Sequence, residues 1–188
     1  MQKRRRIFIA INLPQEYKKR LISFEKKWAD VPAKWTPQEN LHITVVFLGD
    51  ITDVELGQVC LATKKVAENQ EGFNIDLNKI AYGPEEKIPP RYIWAGGEKS
   101  EPMHTLKEEL ENEISEIVNL KPDKNTFTPH ITLARINEWQ WRQIELEERP
   151  EVNEIIDMTF PVESIEVMES ELTKQGPRYT VIESHQFQ

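Results

Sequence analysis

The tripeptide His-Ile-Thr occurs twice in the chain, at positions 42–44 and 130–132. Both copies begin a run of apolar and β-branched residues, which predicts a β-strand. Side chains in a strand alternate between two faces, so the histidine and the threonine of each copy are expected to share one face. The sequence therefore predicts two strands that each present an imidazole and a hydroxyl side by side.

Two such pairs, facing each other, suit acid–base chemistry at a phosphate. An unperturbed histidine titrates at about pH 6.5, so one imidazole can accept a proton while the other donates one. Threonine hydroxyls can hydrogen-bond the non-bridging phosphate oxygens. Displacement at phosphorus needs a base at the attacking oxygen and an acid at the leaving oxygen. The motif predicts this reaction without a metal or cofactor, but its spacing does not say which of His42 and His130 is the acid.

The element order strand, helix, strand, helix, strand is predicted twice, and each His-Ile-Thr copy lies in the middle strand of its half. Alternation assigns Ile43, Val45 and Phe47 to the core in one half and Ile131 and Leu133 in the other. The predicted strands are 5–12, 41–48, 73–80, 91–95, 130–136, 162–170 and 179–183. Helices are predicted from Tyr17 to Trp28, from a capping box at 52–55, over 102–118, and after an Asn137 cap.

A stretch rich in proline and glycine, 82–90, is predicted to connect the two halves, about 1–81 and 91–188. The whole chain, 1–188, is therefore expected to be a single two-lobed domain. Its fold class is predicted to be α+β, bilobal and pseudo-symmetric, with a duplicated β-α-β-α-β order.

Composition excludes several classes of protein. The chain of 188 residues has seven glycines, and neither a phosphate-binding P-loop nor a dinucleotide-binding glycine motif is present. Its single cysteine, Cys60, rules out an internal disulfide and a cysteine-based zinc cage. No apolar run approaches the length of a membrane span, and the basic N-terminus is a poor secretory signal. A cytoplasmic protein is the expectation.

The charge is unevenly distributed along the chain. The net charge is -8, whereas proteins that coat nucleic acid through its phosphates are usually basic. Residues 1–27 nevertheless hold nine basic against two acidic side chains, and residues 138–171 hold eleven acidic against two basic ones. Solvated faces explain both segments. The alternative is that the basic end attracts an anionic substrate.

Two segments resemble the signatures of the two-histidine phosphoesterases: WTPQENLHITVVFLG at 35–49 and FTPHITLAR at 127–135. Within that superfamily the chain is most similar to the bacterial and archaeal RNA 2′,3′-cyclic phosphodiesterases, also called LigT-like proteins or 2′-5′ RNA ligases. The opening at 5–14, the strand at 93–96 and the closing segment 170–179 fit as well. The resemblance thus spans essentially the whole chain.

The resemblance implies two antiparallel sheets that line a central cleft, with helices outside. It also implies hydrolysis of a 2′,3′-cyclic phosphate, on RNA 3′ ends or on nucleotides, to a 2′-phosphomonoester. In that chemistry His42 would be the proton donor and His130 the proton acceptor. Thr44, Thr132 and Arg135 would hold the phosphate. No membrane, metal or cofactor is implied, and a monomer is expected.

The positions of four further residues relative to the cleft, the core and the surface bear on the site. Arg135 has the opposite strand parity to His130, so it reaches the cleft only if the strand ends or bulges there; otherwise it is a surface arginine. Phe8 and Tyr179 could stack on a terminal base, although core packing explains Phe8 equally well. Trp94 is predicted to lie in the core.

Three alternative functions stay open at this point. A metal-dependent hydrolase could use both histidines and a carboxylate, although a strand-borne threonine is a poor zinc ligand. A non-catalytic module could bind RNA ends, although binding alone does not need two titrating groups. A third possibility keeps the fold and changes the substrate: another cyclic phosphate, a 2′,5′-linked oligonucleotide, or ligation as the reverse reaction.

Overall fold

The computed structural model describes residues 3–85, 87–120, 127–174 and 176–188. Within them the chain forms an α+β structure with antiparallel strands, which confirms the predicted fold class. The strands are β1 (Arg4–Asn12), β2 (Ala33–Trp35), β3 (His42–Thr52), β4 (Phe73–Gly83), β5 (Tyr92–Gly96), β6 (His130–Ile136), β7 (Asn153–Val162), β8 (Ser164–Thr173) and β9 (Gly176–Gln186). The α-helices are α1 (Gln15–Ile22), α2 (Asp53–Ala67), α3 (Glu101–Ser115) and α4 (Glu138–Arg142).

The strands form one sheet in the order β7-β4-β5-β6-β3-β1-β8-β9, with β2 paired to β6. One half has four strands and the other, with β2, has five; they meet where β3 pairs with β6 at a single position, Ile43 opposite Ile131. The two sheets expected from the resemblance are therefore joined, because the two strands that carry the tripeptides touch at this point. This junction brings both histidine-bearing strands to the middle of the sheet.

Each half of the sheet contains strands from both halves of the sequence. β4 comes from the first half of the sequence but pairs with β5 and β7, whereas β8 comes from the second half and pairs with β1. The exchange ties each half of the sheet to both halves of the sequence. In the predicted connection 82–90, β4 continues to Gly83, and Glu86 lies outside the described residues.

Strand β7 (Asn153–Val162) is absent from the sequence-based prediction. It alternates clearly, since Ile156, Met158, Phe160 and Val162 are buried between exposed residues. The many glutamates before it and Pro161 within it obscure the pattern. β7 tolerates this proline because it is an edge strand.

The helices follow the predicted signals closely. Thr52 and Glu55 form the reciprocal capping box that begins α2, and the side chain of Asn137 caps α4. The predicted helix from Tyr17 to Trp28 divides into α1 and a 3-10 segment, Ser23–Trp28. None of the helices in the described part of the chain is long and apolar enough to cross a membrane.

The main hydrophobic core lies on one face of the sheet. It contains Ile43 and Ile131 from the two central strands, together with Leu56 of α2 and Leu106 of α3. The opposite face carries the histidines and threonines of both tripeptides and is called the open face below. The helices thus support the sheet from behind and leave the open face accessible.

Candidate active site

His42 stands at the start of β3, and hydrogen bonds hold its ring at both nitrogens. Nδ1 donates to the backbone carbonyl oxygen of Asn40 at 2.7 Å, and Nε2 lies 2.9 Å from Oγ1 of Thr44. A carbonyl oxygen can only accept, so Nδ1 carries a proton. Nε2 is therefore the nitrogen that gains or loses the titrating proton, and the Thr44 hydroxyl lies directly beside it.

His130 stands at the start of β6 in the same arrangement. Its Nδ1 donates to the backbone carbonyl oxygen of Thr128 at 2.9 Å, again two residues before the histidine. Its Nε2 is thereby also the titrating nitrogen. Because both strands use the same backbone hydrogen bond, both imidazoles keep the same nitrogen, Nε2, for proton transfer.

A β-bulge follows each tripeptide and changes the face to which the next residues point. The pairing of β1 with β3 passes from Thr44 to Val46 and leaves Val45 without an opposing residue. The pairing of β5 with β6 passes in the same way from Thr132 to Ala134 and leaves Leu133 unopposed. Each bulge lies three residues after a histidine, and it reverses the alternation beyond it.

The bulges decide the positions of two side chains. Arg135 is exposed on the open face with His130 and Thr132, as the phosphate role requires. The prediction that Phe47 points to the core is wrong, because its ring is 69% exposed and lies on the open face. Phe47 and Arg135 therefore occupy equivalent positions in the two halves of the sheet.

Arg135 also lines a surface depression of about 280 Å³ at the end of β6. The other lining residues come from β2 and from the start of α4: Ala33, Lys34, Ile136, Asn137 and Gln140. Cationic and amide groups thus border the open face beside Arg135. A chemical group with hydrogen-bond acceptors suits this depression.

Two aromatic rings pack against His42. Phe8 of β1 lies 5.0 Å from the imidazole, measured between ring centroids, and Tyr179 of β9 approaches edge-on at 5.1 Å. Phe8 is buried in a small apolar cluster with Ala10 and Met168, so it supports the ring from below. Phe8 is therefore packed away from any base, whereas Tyr179 is partly exposed beside His42.

A tryptophan supports His130 instead. The indole of Trp94 lies 4.1 Å from the imidazole between centroids and stacks on Tyr92 at 5.9 Å. Trp94 is thus on the open face, which corrects its assignment to the core. Its ring lies against Gly83, where a Cβ atom would stand only 2.2 Å from the indole. The strand alternation of β5 could have shown this position, because Ile93 and Ala95 already fill its core face.

The surroundings disfavour positive charge on both imidazoles. Burial lowers the pKa of His42 to about 4, and the charges of Lys18 and His130 act in the same direction against the hydrogen bond to Asn40. Burial also lowers the pKa of His130, against the hydrogen bond to Thr128. Both histidines are thereby held neutral at neutral pH when the site is empty, and a bound anion would favour their protonation.

The other two histidines and the single cysteine lie in ordinary surroundings. His104 is next to Glu108 on α3, and His185 is near Glu183 on β9. Cys60 is buried, and burial raises the pKa of its thiol to about 11. Among the described residues, no three histidine, cysteine, aspartate or glutamate side chains converge as a metal site would need.

Paired histidines with adjacent hydroxyls suit chemistry at a phosphate, and the chain belongs to the LigT-like phosphoesterase family. The family model matches residues 11–94 and 98–179, which include both tripeptides. An RNA 2′,3′-cyclic phosphodiesterase of Thermotoga maritima is 29% identical over 97% of this chain and 96% of its own length. A Thermus thermophilus protein of the same name is 30% identical over 95% of this chain and 88% of its own.

Solved structures agree with this assignment. A crystal structure of a Thermus thermophilus protein superposes with a TM-score of 0.82, at 30% identity and over 97% of both chains. The Escherichia coli LigT structure in complex with 3′-AMP has a TM-score of 0.77 at 20% identity, over 98% of this chain and 99% of LigT. The second likeness concerns the fold alone.

Proposed function

We propose that the protein hydrolyses 2′,3′-cyclic phosphates of RNA ends or nucleotides to 2′-phosphomonoesters by acid–base catalysis between its two histidines. The observation that carries this proposal is the matched fixation of His42 and His130. Each Nδ1 is tied to a backbone carbonyl, so each Nε2 is the titrating nitrogen on the open face. The names of the relatives in Thermotoga and Thermus support the substrate class.

In the proposed reaction His130 is the base. Its neutral Nε2 takes a proton from a water molecule, whose oxygen forms a bond to phosphorus. The P–O3′ bond breaks on the opposite side, and protonated His42 gives its Nε2 proton to O3′. The phosphate stays on O2′, and one water molecule is consumed. Each turnover leaves His130 protonated and His42 neutral, and one proton must return to His42 before the next.

Three side chains are proposed to hold the phosphate. Thr44 lies beside the acid and Thr132 is at the equivalent position beside the base, so each hydroxyl can bond a non-bridging oxygen. The bulge in β6 brings the guanidinium of Arg135 to the same face, where it can stabilise the charge on phosphorus with paired N–H groups. Tyr179 is proposed to contact the nucleoside from its position at the edge of His42.

The experiment is to incubate the protein with adenosine 2′,3′-cyclic phosphate and with a short RNA that ends in a cyclic phosphate, and to identify the products by phosphorus NMR. Only the 2′-phosphate is expected on both substrates. A 3′-phosphate would overturn the assignment of His42 as the acid. Absence of turnover would overturn the proposed function. Action without metal, a monomeric state and a cytoplasmic location are parts of the same proposal.

A further inference from the structure

A buried lysine, Lys18, acts on His42 through its charge and has no place in the mechanism above. Lys18 of α1 is 3% exposed, and lysines are rarely buried to this extent without a partner. Its Nζ donates to Oδ1 of Asn12 at 2.9 Å. Asn12, in turn, is the residue of β1 that pairs with His42 of β3. The lysine therefore acts on a side chain one strand away from the proposed acid.

Glu166 fixes the same asparagine through its backbone. β8 pairs with β1 only as far as Ala10, opposite Glu166. Beyond that point Oε2 of Glu166 accepts the backbone N–H of Asn12 at 3.0 Å. Oε1 accepts from the hydroxyls of Ser164 and Ser184 at 2.6 and 3.1 Å. Asn12 is thus held at its backbone and its side chain by two buried charged groups.

The hydrogen bond to Lys18 also settles which end of the Asn12 amide is free. An ammonium group can only donate, so the bonded atom is the carbonyl oxygen, and the NH2 group is at the other end. Asn12 follows Phe8 and Ala10 in the alternation of β1, which places it on the open face. Because the residue is partly exposed while its oxygen is turned to a buried group, the N–H donors are what it offers to a ligand.

We propose that Asn12 is a substrate-contacting residue, and that Lys18 is the positioning residue that turns its amide N–H groups toward an oxygen of the ribose phosphate beside His42. The inference rests on the function proposed above and adds a contact to it. It explains why a lysine is buried at this place: an amide without the ammonium could turn either end to the substrate, and only one end donates.

The charge of Lys18 gives the proposal a second readout. Among the residues that the structure describes, Lys18 on α1 and His130 on β6 act on His42 through their charges, and Tyr179 on β9 packs against its ring. Glu166 and Glu39 act on Lys18, whose pKa is lowered by burial and raised by these two carboxylates. Because the Lys18 charge contributes to the low pKa of His42, removal of the charge should raise that pKa.

Asn12→Asp is the direct test of the contact. The variant keeps the shape of the side chain and an acceptor for Lys18, but it loses the N–H donors and places a negative charge near the phosphate. The KM for adenosine 2′,3′-cyclic phosphate is expected to rise by about ten- to a hundredfold, with a smaller change in kcat. The matched control is Asn74→Asp, the same exchange at an exposed position of β4, which should behave like the wild type.

Lys18→Met tests the positioning role, with Lys19→Met at the next, exposed position of α1 as its control. Lys18→Met should raise KM and move the acid limb of the kcat/KM profile to higher pH. In the Asn12→Ala background, Lys18→Met should add nothing to KM, because the lysine acts through the amide. Circular dichroism verifies that each variant is folded.

Binding of adenosine 2′-monophosphate, measured by calorimetry, separates this inference from the proposed function. Weaker binding by Asn12→Asp supports the contact even if the wild type shows no turnover, in which case the proposed function alone fails. Wild-type KM and affinity in Asn12→Asp would overturn the contact. An additive effect of Lys18→Met on Asn12→Ala would overturn the positioning role.

Discussion

The two histidine strands share a backbone design but differ in what surrounds each imidazole. In both strands Nδ1 donates to the carbonyl oxygen two residues earlier, and a bulge follows three residues later. The ring of His42 packs against both Phe8 and Tyr179, which also contact each other, and its Nε2 lies beside Thr44. The ring of His130 rests on one indole, that of Trp94.

In the proposed mechanism, this difference is what allows equivalent residues of a duplicated fold to take different roles. The backbone fixes the tautomer and the direction of each ring, so both imidazoles are competent for proton transfer. The neighbouring side chains then set the electrostatics: a buried lysine lies near one ring, and an exposed arginine lies on the strand of the other. Displacement at phosphorus needs this difference, because one group must act as an acid and the other as a base.

The histidines themselves should give the largest effect. His42→Ala and His130→Ala are each expected to lower kcat by about 10²–10⁴-fold, as is usual for a general acid or base. The double variant should be little worse than either single one, because the two proton transfers belong to one step. Steady-state kinetics on adenosine 2′,3′-cyclic phosphate measures all three; additive losses would contradict a concerted pair.

A substrate with sulfur in place of O3′ distinguishes the two single variants. A thiolate leaves without protonation, so the analogue should restore much of the rate to His42→Ala and little to His130→Ala. Equal rescue of both variants would contradict the assignment of His42 as the acid.

The next largest effect should come from the positions that follow the bulges. Arg135→Ala removes a cation from the developing charge on phosphorus and should cost about 2.7–4 kcal/mol in kcat/KM. Arg135→Lys keeps the charge but loses the planar fork, so it should recover only part of that loss. Phe47→Leu, the matched change in the other half, should leave kcat near the wild-type value. An equal loss in Phe47→Leu would contradict the division of roles.

These two positions also show where the sequence is informative and where it is not. Parity along an unbroken strand places Arg135 on the wrong face and Phe47 in the core; bulges at Leu133 and Val45 reverse both. A bulge depends on how two strands pair, and pairing is not visible in either strand alone. The repeated tripeptide, by contrast, is local, and strand alternation suffices to predict that the histidine and threonine of each copy share a face.

Features that depend on contacts between distant parts of the chain cannot be predicted from the local sequence pattern. The exchange of β4 and β8 between halves of the sheet follows from tertiary pairing. The same is true of the position of Lys18, whose helical pattern indicates solvent exposure until α1 is packed beside β1. For Trp94 the sequence is partly informative. Alternation along β5 predicts its face, but its contact with His130 depends on the pairing of β5 with β6.

The two threonine substitutions should lower kcat/KM by similar amounts but should differ in their effect on the pH profile. Thr44→Val and Thr132→Val each remove a hydroxyl while they keep the shape, and each should cost about 1–3 kcal/mol in kcat/KM. Because Oγ1 of Thr44 is already bonded to Nε2 of His42, only Thr44→Val should also move the acid limb of the pH profile. An unchanged acid limb in Thr44→Val, or a shifted one in Thr132→Val, would contradict this pairing of threonine and acid.

The pH dependence of the wild type should show the effect of burial on both rings. In the proposed mechanism the productive enzyme holds one proton on the histidine pair, and the pKa values of both histidines lie below the ordinary value of about 6.5. The kcat/KM profile should therefore be bell-shaped with its maximum below about pH 6.5, and it should fall as rising pH removes the last proton. A bound phosphate anion favours protonation, so the maximum of kcat should lie at higher pH. A kcat/KM maximum above about pH 7 would contradict the lowered pKa values.

The smallest effect is expected from chelation. Excess EDTA should leave kcat/KM unchanged, because the proposed reaction takes its acid, its base and its phosphate donors from side chains. An ion bound between the histidines would coordinate both through Nε2, and neither could then act as acid or base. Loss of activity in EDTA, restored by zinc or manganese but not by magnesium, would make the two histidines equivalent ligands. The sulfur-substituted substrate would then rescue neither histidine variant, so the two experiments together decide whether the halves differ in chemistry or only in their neighbours.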